Sequence, residues 1–159
     1  MMAYCPRTEA HMPIPDDMAR LILTQGSGVL STSADDVPHA SLMSYAPEPD
    51  LTYIHMATPA STRKWANLGR NPRLALLVDD RCETREGTGP TSALTVGGTH
   101  VPVLDPQEKR RILDMLVARH PRLADFLSGE GMEVIRLKPS WMLHLSGPDR
   151  INFIDLQKK

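Results

Sequence analysis

The decisive stretch is STRKWANLGRNPRLALLVDD, running from Ser61 to Asp80. It reads as a short helix, a stop at Asn71-Pro72, and then an apolar run of strand length. Trp65 and Leu68, three residues apart, supply the helix with an apolar anchor to the core. Its first turn is charged the wrong way. A helix N-terminus carries partial positive charge, so Arg63 and Lys64 each cost from a few tenths to about 1 kcal/mol there.

The neighbouring residues give those cations a purpose. Leu51 to Val78 contains no Asp or Glu, yet holds Arg63, Lys64, Arg70 and Arg73. Thr58, Ser61 and Thr62 place three hydroxyls just before the cations, and Ser61 or Thr62 can cap the helix. With the free N–H groups of the first turn, these residues make an anion-binding cup. A phosphate there would turn an unfavourable pair of charges into charge-assisted hydrogen bonds worth roughly 1.5–3 kcal/mol each.

Outward from this unit the pattern is mainly β. A first helix starts at Pro15, with Asp16 and Asp17 in its first turn, and closes near Gly26. Val29 to Ser33 and Pro38 to Tyr45 are strand runs joined by a hairpin, and Leu51 to Ala57 is a third strand. After Asp80 comes a polar loop, then a strand from Ser92 to Leu104 with a bend at Gly97-Gly98. A helix with a capping box follows, with Asp105 as N-cap, Pro106 first and Glu108 reaching back. A short helical piece lies at Leu123 to Leu127. MEVIRLK and WMLHLSG are two closing strands that INFIDL extends. Strands that follow one another without regular intervening helices predict a split β-barrel of six or seven strands with two or three peripheral helices.

Composition sets limits on function. The chain has 159 residues, 23% charged and 41% hydrophobic, which suits a single globular domain with a core near residues 15–146. A net charge of -1 argues against a chain built to bind nucleic acid or an anionic membrane. No apolar run approaches a bilayer span, and the N-terminal residues lack a secretory h-region. Cys5 and Cys82 read as free thiols, so the expected location is the cytoplasm. No His, Cys or carboxylate cluster has metal-ligand spacing, and the glycines after Glu86 do not form a Rossmann turn.

Taken together, GVLSTSADDVPHASLMSY, LTYIHM and ATPASTRKWANLGRNPRLALLVDD resemble the flavin-mononucleotide-binding split barrels related to pyridoxamine 5'-phosphate oxidase. The resemblance implies a homodimer with flavin mononucleotide (FMN) at the subunit interface. It assigns the phosphate to Thr62, Arg63 and Lys64, with Thr58 near the phosphate or ribityl chain. It sets His39, Ala40, Ser41 and Leu42 along the edge of the flavin ring. Ser92 and Ala93 stand where the family often has a glutamine from the partner subunit. The closing segment RLKPSWMLHLSGPDRINF lacks the oxidase's Glu-Phe-Trp run, so pyridoxamine phosphate oxidation is not expected. The implied activity is electron or hydride transfer on a small molecule. The alternatives are a split barrel binding deazaflavin or haem, or a non-catalytic flavin sensor. Among the histidines, His39 is the best functional candidate. Trp141, His144 and Arg150 are further candidates to reach the pocket.

Overall fold

The first hairpin shows how the sheet is built. Strands β1 (Ser27–Ala34) and β2 (Val37–Ser44) pair antiparallel through a two-residue turn. Asp35 and Asp36 have φ of 51° and 60°, the left-handed values such hairpin turns require and aspartate tolerates better than most residues. The structure is a computed structural model describing residues 14–81, 91–147 and 149–158. Cys5, Cys82 and the middle of the polar loop lie outside these residues.

The remaining strands are β3 (Ala46–Pro47), β4 (Ile54–Pro59), β5 (Arg73–Asp79), β6 (Ser92–His100), β7 (Met132–Ser146) and β8 (Arg150–Asp155). All pairings are antiparallel, in the order β2-β1-β5-β6-β7-β4-β3, with β8 also on β7. The mainly β split-barrel expectation holds.

Several strand boundaries differ from the sequence reading; β6, for one, ends at His100 and not at Leu104. The third strand begins at Ile54, because Leu51 sits in a turn at φ 59° with its N–H donated to the Glu48 carbonyl. The two closing strands are one. β7 runs 15 residues through Pro139, and its ladder with β6 slips at Gly97/Gly98 so that Ser140 is the extra residue of a bulge. Proline is tolerated there because β4 stops at Leu137 and β8 begins at Trp141, so its missing N–H costs no ladder bond on that side. The barrel splits here. β7 lends its first half to β4 and its second half to β8.

Four helices pack around the sheet: α1 (Asp16–Thr24), α2 (Arg63–Arg70), α3 (Pro106–Arg119) and the one-turn α4 (Ala124–Leu127), which a 3₁₀ turn at Pro121–Leu123 precedes. Inside the barrel Leu30, Leu76, Val96, Met142 and Ile154 face one another across five strands. Met18, Leu21 and Ile22 of α1 and Leu68 of α2 complete that core. A second core lies on the other face of β4 and β7, where Ile112 and Leu116 of α3 and Leu127 of α4 cover Ala57, Met132 and Val134. Covered on both faces, β4 reads as an unbroken buried run. The capping box is half formed. Asp105 accepts the Gln107 N–H at 3.0 Å, while Glu108 turns to Arg111 and Arg136.

The central row of the sheet's outer face carries no charge, and Asp155 ends the row beside it. Leu42, Val29, Leu77, Thr95, Leu143 and Phe153 stand directly opposite one another across six strands. Ala40, Ser31, Ala75, Gly97 and Trp141 form the adjacent row. Among the described residues, no helix is long and apolar enough to cross a membrane.

Candidate functional site

The site grows from the junction of β4 with α2. Thr58 is the last inward-facing residue of β4 and is buried, with 2% exposure. Thr62 follows at the N-cap of α2. Its hydroxyl makes no bond to the helix and instead shares a hydrogen bond with the Thr58 hydroxyl at 3.0 Å. The Lys64 ammonium donates to Thr58 Oγ1 at 3.4 Å, which folds the lysine back over the helix start. The first turn holds no acid, and its first helical hydrogen bond is donated by Ala66 to the Thr62 carbonyl. The N–H groups of residues 63–65 therefore precede the helical ladder and face the same end as the lysine.

The rest of α2 holds that end still. Asn67, buried, donates to Thr32 Oγ1 at 3.1 Å, and Asn71 donates to Ser33 Oγ at 3.1 Å. Arg70 pairs with Asp35 in the hairpin turn. Leu68 enters the core, and Trp65 packs against it with its ring edge-on to His100, centroids 5.6 Å apart. Three polar side chains thus fasten the helix to β1, leaving Arg63 and Lys64 as the cations at its open end. Among the described residues Arg63 is exposed and has no ion pair.

A groove of about 420 Å³ opens beside this cluster. Thr58, Thr62 and Lys64 form one end, with Leu42, Met43 and Ser44 of β2 along one side. Leu116 of α3, with Leu123, Phe126 and Leu127, forms the facing wall. Of the residues read from sequence, the structure thus brings together Leu42, Thr58, Thr62 and Lys64. Arg63 flanks them outside the lining. His39 and Ser41 lie further along β2, bonded to each other at 3.1 Å, and Ala40 is on its outer face. The α3–α4 wall was missed. Its segment was legible as helix, but nothing local says that the exposed Phe126 faces a groove formed with β2.

Two further polar clusters lie elsewhere. His144, 5% exposed, meets Ser92 Oγ through Nε2 at 2.6 Å and Asp17 through Nδ1 at 3.2 Å. The order is that of a nucleophile triad. However, the Ser92 N–H, a usual oxyanion donor, is donated to Asp80 at 2.8 Å, so the chain serves to tie α1 to the sheet. Trp141 lies flat against Gly97 and Phe153 on the outer sheet face. Neither His144 nor Trp141 is in the groove lining.

The other cluster ties α3 to β4 and β7. Glu48 accepts from His55 at 2.9 Å and Arg111 at 2.7 Å, and Glu108 accepts from Arg111 and Arg136. The Arg111 hydrogen bonds, with Arg136 nearby, lower the Glu108 carboxyl to about 2. Burial alone would raise Glu48, but hydrogen bonds from Arg111 and His55 bring it below the usual range. Burial lowers His55, against the pull of Glu48, and also lowers His100. Both histidines are structural: His100 accepts the Arg136 N–H at 3.3 Å.

The chain is similar to known proteins over most of its described length. The family model described as pyridoxamine 5'-phosphate oxidase matches residues 14–145. A pyridoxamine 5'-phosphate oxidase homolog from Schizosaccharomyces pombe is 27% identical over 95 residues, 55% of this chain and 50% of that protein. A heme binding protein from Mycobacterium smegmatis superposes with a TM-score of 0.75 at 15% identity, over 87% of this chain and 56% of the other. An FAD-binding protein from Mesorhizobium loti gives 0.66 at 15% identity, over 80% and 91%. The chain therefore spans about half the length of the yeast relative and of the mycobacterial protein. At these identities the two structures show a shared fold.

Proposed function

The chain belongs to the pyridoxamine 5'-phosphate oxidase family, and from that premise we propose that it binds FMN in the groove and acts as a cytoplasmic, homodimeric oxidoreductase on a small molecule. The observation that carries this reading is the cluster of Thr58, Thr62 and Lys64 at an acid-free helix start. Hydroxyls, an ammonium and a helix N-terminus are the donor set that suits a phosphate. Thr58, Thr62, Lys64 and the first-turn N–H groups would hold it, with Arg63 adding charge from the flank. Leu42 lies against the groove for the ring, and His39, Ala40 and Ser41 continue the same edge strand. When bound, flavin supplies one- and two-electron transfer, which no side chain of the groove provides.

The chain's own residues orient and shield. Lys64 offsets phosphate charge, the threonines fix its position, and the α3–α4 wall keeps water from one side of the groove. The uncharged central row of the sheet's outer face supports the dimer, since an interface core is depleted in charge.

Haem is the second reading, favoured by the likeness to a heme binding protein. It needs an axial ligand such as histidine. Among the described residues, no histidine lines the groove. His55, His100, His120 and His144 are each already bonded to Glu48, the Arg136 N–H, the Tyr45 carbonyl and Ser92. Among the described residues that leaves His39 on β2, whose Nε2 is within 3.1 Å of Ser41 Oγ. The absorbance spectrum of purified protein separates the readings. Flavin bands, or their appearance on adding FMN, support the proposal; a Soret band, or a colourless protein that takes up no FMN, overturns it.

A further inference from the structure

The groove is polar at one end only. Among the described residues twelve line it; of these Lys64 is the sole charged side chain, and Thr58, Thr62 and Ser44 are the other polar ones. The remaining eight are apolar, and four of them (Leu116, Leu123, Phe126 and Leu127) form one continuous wall from α3 and α4. Leu116 and Leu127 are buried and give the wall a rigid base, while Phe126 is 51% exposed and forms its lip. On the opposite side Leu42 is 76% exposed. The groove is thus bordered on both sides by hydrocarbon.

The charge balance bears on what else it can take. If Lys64 and the first turn of α2 hold the cofactor's phosphate, no second cation among the described lining residues remains for another phosphate. A dianion placed against Leu123 and Phe126 would be desolvated without a partner, which is costly. An uncharged ring or alkyl group placed there gains by leaving water. Pockets with this balance of wide apolar wall and few convergent polar groups are typical of small-molecule sites.

We infer that the α3–α4 wall, centred on Leu123 and Phe126, is the seat of the organic substrate, and that this substrate is uncharged and mainly aromatic or hydrocarbon rather than phosphorylated. The inference rests on the FMN reading, because it requires the cationic end to be taken by the cofactor. Phe126 is a specificity residue in this scheme. It touches the substrate and has no part in holding phosphate.

The test is calorimetric titration of 2-naphthol, an uncharged aromatic probe, and of pyridoxamine 5'-phosphate into the full chain, with and without FMN. With FMN bound, naphthol should bind at least tenfold more tightly than the phosphorylated amine. Phe126→Ser should weaken naphthol about tenfold, a larger factor than it costs FMN, while leaving the molecular mass in solution unchanged. The half-exposed position allows that substitution to fold, and Leu123→Ser provides a second, independent lesion of the wall. Tighter binding of pyridoxamine 5'-phosphate, or naphthol affinity indifferent to both substitutions, overturns the inference. So does a change of mass in Phe126→Ser, which would make the wall a subunit contact. Failure of FMN to bind is a separate result and refutes the cofactor reading. Naphthol titrated into the cofactor-free protein then decides whether the wall still takes an apolar molecule.

Discussion

Lys64 is the residue on which the phosphate reading turns. Lysine beside a helix N-terminus is unfavourable by itself, yet this one is bent back toward a buried hydroxyl. Arg63, one position earlier, is exposed and outside the groove. The two cations that look equivalent in sequence therefore differ in depth. Lys64→Ala should weaken FMN by about 1.5–3 kcal/mol, the range for a hydrogen bond to a charged group, and Arg63→Ala by clearly less. Fluorescence titration of the two variants checks the order, and an equal or reversed order would refute the assignment. A second position is decided by space alone. A Cβ on Gly98 would lie 2.0 Å from the Lys138 carbonyl oxygen, and one on Gly97 would lie 2.0 Å from the Trp141 ring. The backbone of the neighbouring strand cannot yield as a side chain can, so Gly98→Ala should lower Tm more than Gly97→Ala, with at least the 1–3 kcal/mol typical of overpacking.

Among the elements, α2 and β5 were the most legible, because cap, apolar spacing, Pro72 and a strand-length run all agree within twenty residues. The fastening of α2 was not. Asn67 finds Thr32 thirty-five positions earlier, and sequence order alone carries no sign of that contact. The continuity of β7 was hidden for a related reason. Pro139 reads locally as a break, and only the change of partner from β4 to β8 shows why a strand can pass through it. The α3 helix carries a pH prediction. His55 and His100 are depressed by burial, so below about 6.5 the unfolded chain takes up protons that the fold resists. Glu48 and Glu108 are also held below their ordinary range, so below about 4.5 the unfolded chain again binds more protons. All four shifts act in one direction. Stability should fall as pH drops from 7, continuing toward the Glu108 value of about 2. Urea unfolding at stepped pH measures this. Glu108→Gln should flatten the lower part of the curve, and a wild-type midpoint constant from pH 7 to 4 would contradict the argument.

At the scale of the whole molecule, the barrel interior and the α3 side each have their own core, while the outer sheet face has none above it. The strand runs that become β1, β5 and β6 were visible in the sequence, but a run alone does not say which residues face which side. Which rows face outward, and that they line up across six strands, follows only from the register. Val29, Leu77, Thr95 and Leu143 stand in the middle of that row, with Asp79 and Asp155 near its margins. Arg73 and Lys138 border the other side, and an uncharged centre with charged margins is the pattern of an interface core and rim. Replacing Leu143 by Glu puts a charge where a second copy would bury it, at a cost of several kcal/mol. In a monomer the same side chain would stand half-exposed on the sheet and cost little. Leu143→Glu should therefore halve the mass measured by light scattering while Tm of the resulting monomer stays within a few degrees of the barrel's own. Because Leu42 belongs both to this row and to the groove, the variant should also weaken FMN, linking assembly to cofactor binding. Should Leu143→Glu keep the wild-type mass, whether dimer or monomer, the outer face is not the subunit interface.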